Sequence, residues 1–141
     1  MKQLVLAAAL ALPTALSAET VCDMGGAEVV PVFEPVKAAF LSGDFAQFAQ
    51  LTTRLMPTGP AAFGEGITQL EGLFPDGFES CQTIVQRTDK GGMVQEVTTF
   101  NIRGNLGPMS LYLLAAPLRG EMEISNINFN TTMSKVLDSL R

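Results

Sequence analysis

Between Glu79 and Asn130 the chain changes from helical periodicity to two-residue alternation, and this stretch is cut three times by glycine- or proline-bearing turns. Cys81 to Thr88 (CQTIVQRT) is rich in β-branched residues and reads as a first strand. Asp89-Lys90-Gly91-Gly92 supplies a turn, and Met93 to Ile102 (MVQEVTTFNI) reads as the second strand. The run from Arg103 to Pro108 breaks it. Met109 to Ala116 (MSLYLLAA) is the most apolar strand, which predicts a mid-sheet place with both faces covered. Pro117-Leu118-Arg119-Gly120 turns again, and Glu121 to Asn130 (EMEISNINFN) is the fourth. Its apolar residues fall at Met122 and Ile124, then at Ile127 and Phe129, so the parity changes in between. A strand of period two keeps all four on one face only if it carries a β-bulge near Ser125-Asn126. The short connections predict an antiparallel meander.

What precedes this stretch reads as helices made to cover it. Val32, Phe33, Val36, Ala39 and Phe40 recur at steps of three and four, with Pro31 or Pro35 tolerated in the first turn. Ser42-Gly43-Asp44 ends that helix. Asp44 followed by Gln47 forms a capping box for the next, whose stripe is Phe45, Phe48, Leu51 and Leu55, stopped by Pro57-Thr58-Gly59-Pro60. Phe63, Ile67, Leu70 and Phe74 make a third helix, ended by Pro75-Asp76-Gly77. Met133, Val136, Leu137 and Leu140, capped by Thr131 or Thr132, make a short C-terminal one. Seven of the nine phenylalanines lie in or beside the three early helices: Phe33, Phe40, Phe45, Phe48, Phe63, Phe74 and Phe78. They form the core against the sheet, or line a cavity at the mouth of a cone. The fold class is therefore α+β: N-terminal helices packed on a curved four-stranded antiparallel meander, with a short C-terminal helix.

The chain opens with Met1-Lys2 and an apolar run from Leu4 to Leu16, closed by Ser17-Ala18, the pattern of a secretory signal peptide over residues 1–18. Cleavage is expected after Ala18, with Ala15-Leu16-Ser17 as the alternative site. A membrane anchor fits less well, because the run is short and holds Pro13. A single domain then spans residues 19–141, in the periplasm or outside the cell. This mature chain has 8 basic and 14 acidic residues, a net charge of −6, which argues against nucleic acid and anionic membrane surfaces as partners. Its two cysteines, Cys22 and Cys81, predict a disulfide in an exported protein; two separate thiols are the alternative. No metal site is expected, since histidine is absent and two thiols do not complete a tetrahedral zinc shell.

The junction Phe40-Leu41-Ser42-Gly43-Asp44-Phe45 resembles the helix, small-Gly-Asp, aromatic, helix junction of the cystatin-like α+β cone, the nuclear transport factor two-like superfamily. Ile124-Ser125-Asn126-Ile127-Asn128-Phe129 resembles its last strand. The resemblance covers about Val29 to Phe129, and the C-terminal helix departs from it. It implies a cone-shaped fold shared by isomerases, dehydratases, polyketide cyclases, binding modules and dimerisation domains, so it leaves function open.

Histidine-based acid–base chemistry and Ser-His-Asp triads are excluded by composition. The glycine pairs Gly25-Gly26 and Gly91-Gly92 lack phosphate-loop spacing, and nothing in the sequence calls for a cofactor. Enzymes of the resembling superfamily use an Asp, His or Tyr in the cone, and the strand-borne candidates here are Glu96, Tyr112 and Arg87. If the face with Val94, Thr98 and Phe100 points inward, Glu96 is a carboxylate in an apolar pocket, suited to proton abstraction. If Val97 faces the helices instead, Glu96 faces water. Tyr112 reads as a core residue whose hydroxyl reaches the rim, and Arg87 as a solvated strand end or a receiver of an anionic ligand. The preferred reading is an exported, non-catalytic domain that binds a small apolar ligand or a protein partner. The alternative is a cone-pocket enzyme, isomerase-, dehydratase- or cyclase-like, with a carboxylate base. A third reading, implied by the resemblance, is assembly as a homodimer through the sheet.

Overall fold

A computed structural model describes residues 19–53, 60–104 and 106–140. The expected leader, Leu55, the Pro57-Thr58-Gly59 stop and Asn105 lie outside the described residues. Four strands, β1 (Ser80–Thr88), β2 (Val94–Asn101), β3 (Pro108–Leu118) and β4 (Glu121–Asn130), pair antiparallel in the order of the chain. The bulge falls where the parity break placed it. Leu114 opposes Asn126 and Ala115 opposes Ile124, which leaves Ser125 as the extra residue. Ile124, Ile127 and Phe129 thereby share one face, opposite Ala115, Leu113 and Leu111. A second bulge, at Ile84, offsets β1: Thr83 opposes Thr98 while Val85 opposes Val97. β3 runs to Leu118, further than expected, so Pro117 lies in the strand. The turn narrows to Arg119-Gly120, both with positive φ (52° and 86°), the conformation that suits a two-residue hairpin.

Three helices, α1 (Glu34–Ser42), α2 (Phe45–Thr53) and α3 (Pro60–Leu73), precede the sheet. Pro35 sits in the first turn of α1, where its missing N–H leaves nothing unsatisfied. Asp44 Oδ1 accepts the Gln47 N–H at 3.0 Å, which starts α2. The apolar faces meet around Phe40, whose ring contacts those of Phe45, Phe48, Phe78, Phe100 and Phe129 at centroid distances of 4.8–6.0 Å. Phe33, Phe40, Phe45 and Phe48 are fully buried, so these aromatic rings fill the space under the curved sheet. Leu51, expected in the stripe of α2, is 37% exposed instead. Thr52 takes the inward place, its hydroxyl satisfied by the Phe48 carbonyl at 2.7 Å.

Two glycines set how the layers meet. Gly43 (φ 76°) closes α1 and lies against Gly77 (φ 68°) at the turn into Phe78. A Cβ on Gly43 would stand 2.6 Å from the Gly77 nitrogen, closer than any side chain tolerates. The Phe78 N–H then donates to the Leu41 carbonyl at 2.8 Å and fixes where β1 begins.

The opposite face of the sheet is covered too, which alters the expectation that Val97 would meet the early helices if Glu96 did not. The C-terminal helix, α4 (Met133–Leu137), packs there: Val136 is fully buried against Val97 and Tyr112, beside Val85, Leu114, Leu137 and Leu140. β3 is hence covered on both faces, as its composition predicts.

The N-terminal segment lies along the free edge of β1. Asp23 forms a parallel bridge to Gln82, with the Asp23 N–H donating to the Cys81 carbonyl (3.0 Å) and the Thr83 N–H to the Asp23 carbonyl (2.8 Å). Cys22 and Cys81 are joined in a disulfide, with Cα atoms 4.8 Å apart. Among the described residues no helix is long and apolar enough to cross a membrane.

Candidate functional site

Lys37 projects from α1 into the interior and is fully buried. Its ammonium donates to Glu96 Oε1 at 2.9 Å and touches the Met24 sulfur at 3.6 Å. It also lies 2.5 Å from Glu34 Oε1, three residues back on the same helix, as a charge contact without hydrogen-bond geometry. The other Glu34 oxygen accepts the Val21 N–H at 2.9 Å. The rest of the shell comes from the sheet. Thr83 and Thr98 hydroxyls each donate to Glu96 Oε1 at 3.1 Å, and Gln86 Nε2 donates to Glu96 Oε2 at 3.0 Å. Gln86 in turn holds the N-terminal segment, donating to the Glu28 carbonyl (2.6 Å) and accepting the Glu28 N–H (2.9 Å).

Glu96 therefore points inward, as one of the two parities required, but its surroundings are not the apolar pocket expected. Both carboxylate oxygens are occupied by donors from four side chains, and an ion pair fills the place a substrate would take. Two carboxylates enclose one ammonium, and among the described residues no group of three or more acidic, thiol or imidazole side chains gathers to hold a metal. Lys37 and Glu34 are absent from the sequence candidates. Their signal was a lysine within the apolar spacing of Phe33 and Phe40, with an acid one turn before it.

Tyr112 and Arg87 lie on the other face. Tyr112 is buried under α4, and its hydroxyl donates to Gln95 Oε1 at 3.1 Å. Gln95 Nε2 donates to Asp89 Oδ2 (2.7 Å), whose second oxygen pairs with the half-exposed Arg87 at 3.2 Å. Two of the three candidates are thus linked in one relay, with the sheet between them and Glu96. No constellation unites all three.

A sizeable concavity lies elsewhere among the described residues. Val32 just before α1, Pro35 and Val36 from α1, Leu51 from α2, Arg119 of the β3–β4 turn, and Glu121 to Ile124 at the start of β4 wall a cleft of about 670 Å³. Apolar side chains line it, together with the charged residues Arg119, Glu121 and Glu123. Leu51 and Met122 stand 37% and 39% exposed there. No family model, curated protein or solved structure matches this chain.

Proposed function

We propose that the protein is an exported, non-catalytic binding module whose small apolar ligand or protein partner is held in the cleft between α1, α2 and β4. The observation that carries this reading is the contrast between two places. The interior under the sheet is filled by aromatic rings and a closed ion-pair network, whereas the cleft beside β4 keeps partly exposed apolar side chains and a size that suits a ligand. Glu96 has no free oxygen to act as a base until Lys37, Thr83, Thr98 or Gln86 withdraws. Export accords with the disulfide between Cys22 and Cys81.

An anilinonaphthalene fluorophore titrated into the mature protein tests this reading. Binding of one molecule per chain is expected, lost in Leu51→Asp and Met122→Glu, both of which change side chains that already meet solvent. Absence of binding, or binding unchanged in both variants, overturns it.

A further inference from the structure

The sheet has two edges, and the protein treats them differently. The β1 edge is covered by residues 21–28, held through the disulfide, the Asp23 bridge and the Glu28–Gln86 bonds. The β4 edge is last in the sheet, and no other backbone segment among the described residues bonds to it. An edge strand presents a row of unpaired backbone donors and acceptors, a template for one more strand.

β4 is not uniform along that edge. The bulge at Ser125 interrupts it, and Asn126 Oδ1 takes up the Ile127 N–H at 2.7 Å. Before the bulge, Glu121 to Ile124 run in unbroken register against Leu118 to Ala115. These same four residues wall the cleft. Alternation divides them: Ile124 is buried opposite Ala115 and Met122 shares its face, while Glu121 and Glu123 take the other. Among the described residues neither glutamate belongs to an ion pair.

Resting on the binding reading above, we infer that the cleft receives an extended peptide segment of a partner, which adds to Glu121–Ile124 as a fifth strand. Its alternate apolar side chains enter the cleft over Met122 and Ile124. The intervening side chains are basic and lie beside Glu121 and Glu123, since opposite charges stabilise neighbouring strands and like charges do the reverse. Charge disfavours a second copy in this place, because it would bring another Glu121 and Glu123 to the same edge in a chain of net charge −5.

The probe is a panel of fluorescein-tagged nonapeptides with Val, Ile, Leu or Phe at alternate positions and Lys or Arg between them. Members of the panel are expected to displace the naphthalene fluorophore and to slow amide exchange within residues 121–124. N-methylation of alternate peptide amides is expected to weaken binding about tenfold or more in one register and little in the other, because only one set faces β4. Glu123→Lys is expected to shift preference toward peptides carrying Glu in place of Lys. Equal binding of both methylated registers overturns strand addition. So does a fluorophore that binds the cleft while no peptide competes, or a sedimentation profile in which the free protein dimerises and peptide cannot dissociate it. Failure of the fluorophore itself would instead remove the binding reading.

Discussion

Lys37 shows how much one buried side chain can demand of its surroundings. Taking an ammonium out of water is costly unless opposite charge and hydrogen bonds replace the lost hydration. Here Glu34, Glu96 and the Met24 sulfur do so, and the two threonines and Gln86 satisfy what remains of Glu96. Lys37→Met removes the cation and strands two carboxylates, so it is expected to lower stability by about 3–5 kcal/mol. Adding Glu96→Gln should recover part of the loss, since the two positions share one network. Urea denaturation of the parent and the two variants checks both statements. Gly77 makes a different demand, on space. Any side chain there meets the Leu41 carbonyl in a left-handed conformation, so Gly77→Ala is expected to cost at least about 2 kcal/mol in the same assay. A Gly77→Ala protein as stable as the parent would show that the α1–β1 junction yields easily.

Among the elements, α4 is the one whose place the sequence conceals. Its amphipathic spacing was plain, but nothing in it says that the face it covers is the one opposite the early helices. Val136→Asp should undock α4 and open Tyr112, the only tyrosine of the chain, to acrylamide quenching. The far-UV spectrum should be largely kept, because the rest of the core lies across the sheet; quenching equal to that of the parent would contradict this packing. The strands were legible to differing degrees for physical reasons. The β4 bulge could be read because polar residues separate two apolar pairs of opposite parity. The Ile84 bulge could not, since Thr83-Ile84-Val85 offers no contrast between faces. Glu96 was ambiguous because β2 is buried on both sides: Gln95, Glu96, Val97 and Thr98 are all covered, so alternation no longer reports the core. The cleft was not legible at all, because it is built from the ends of α1, α2 and the β3–β4 hairpin, which no local pattern brings together.

At the level of the whole molecule, the disulfide ties the first described residues to the start of the sheet and encloses every helix of the concave face. Cys22→Ser with Cys81→Ser is expected to lower stability by about 4 kcal/mol from loop closure alone, measured by urea denaturation, and to leave the fold in place. Amide exchange in residues 21–28 should rise first; unchanged exchange there would mean that the segment is held without the bridge. The bond also shortens the paths by which other contacts close. Met24–Thr83, Glu28–Gln86 and Lys37–Glu96 each join positions 58 or 59 residues apart. Through the bridge, Met24 and Thr83 are neighbours a few residues distant, whereas Lys37 and Glu96 each lie fifteen residues beyond a bridged cysteine. Halving a loop is worth only about 0.6 kcal/mol. Oxidation therefore makes docking of the N-terminal segment almost a local event, while the search that brings α1 onto β2 stays nearly as long as before. In refolding, the oxidised chain should therefore lay down its β1 edge cover early, while the meeting of Lys37 with Glu96 gains little from the bridge.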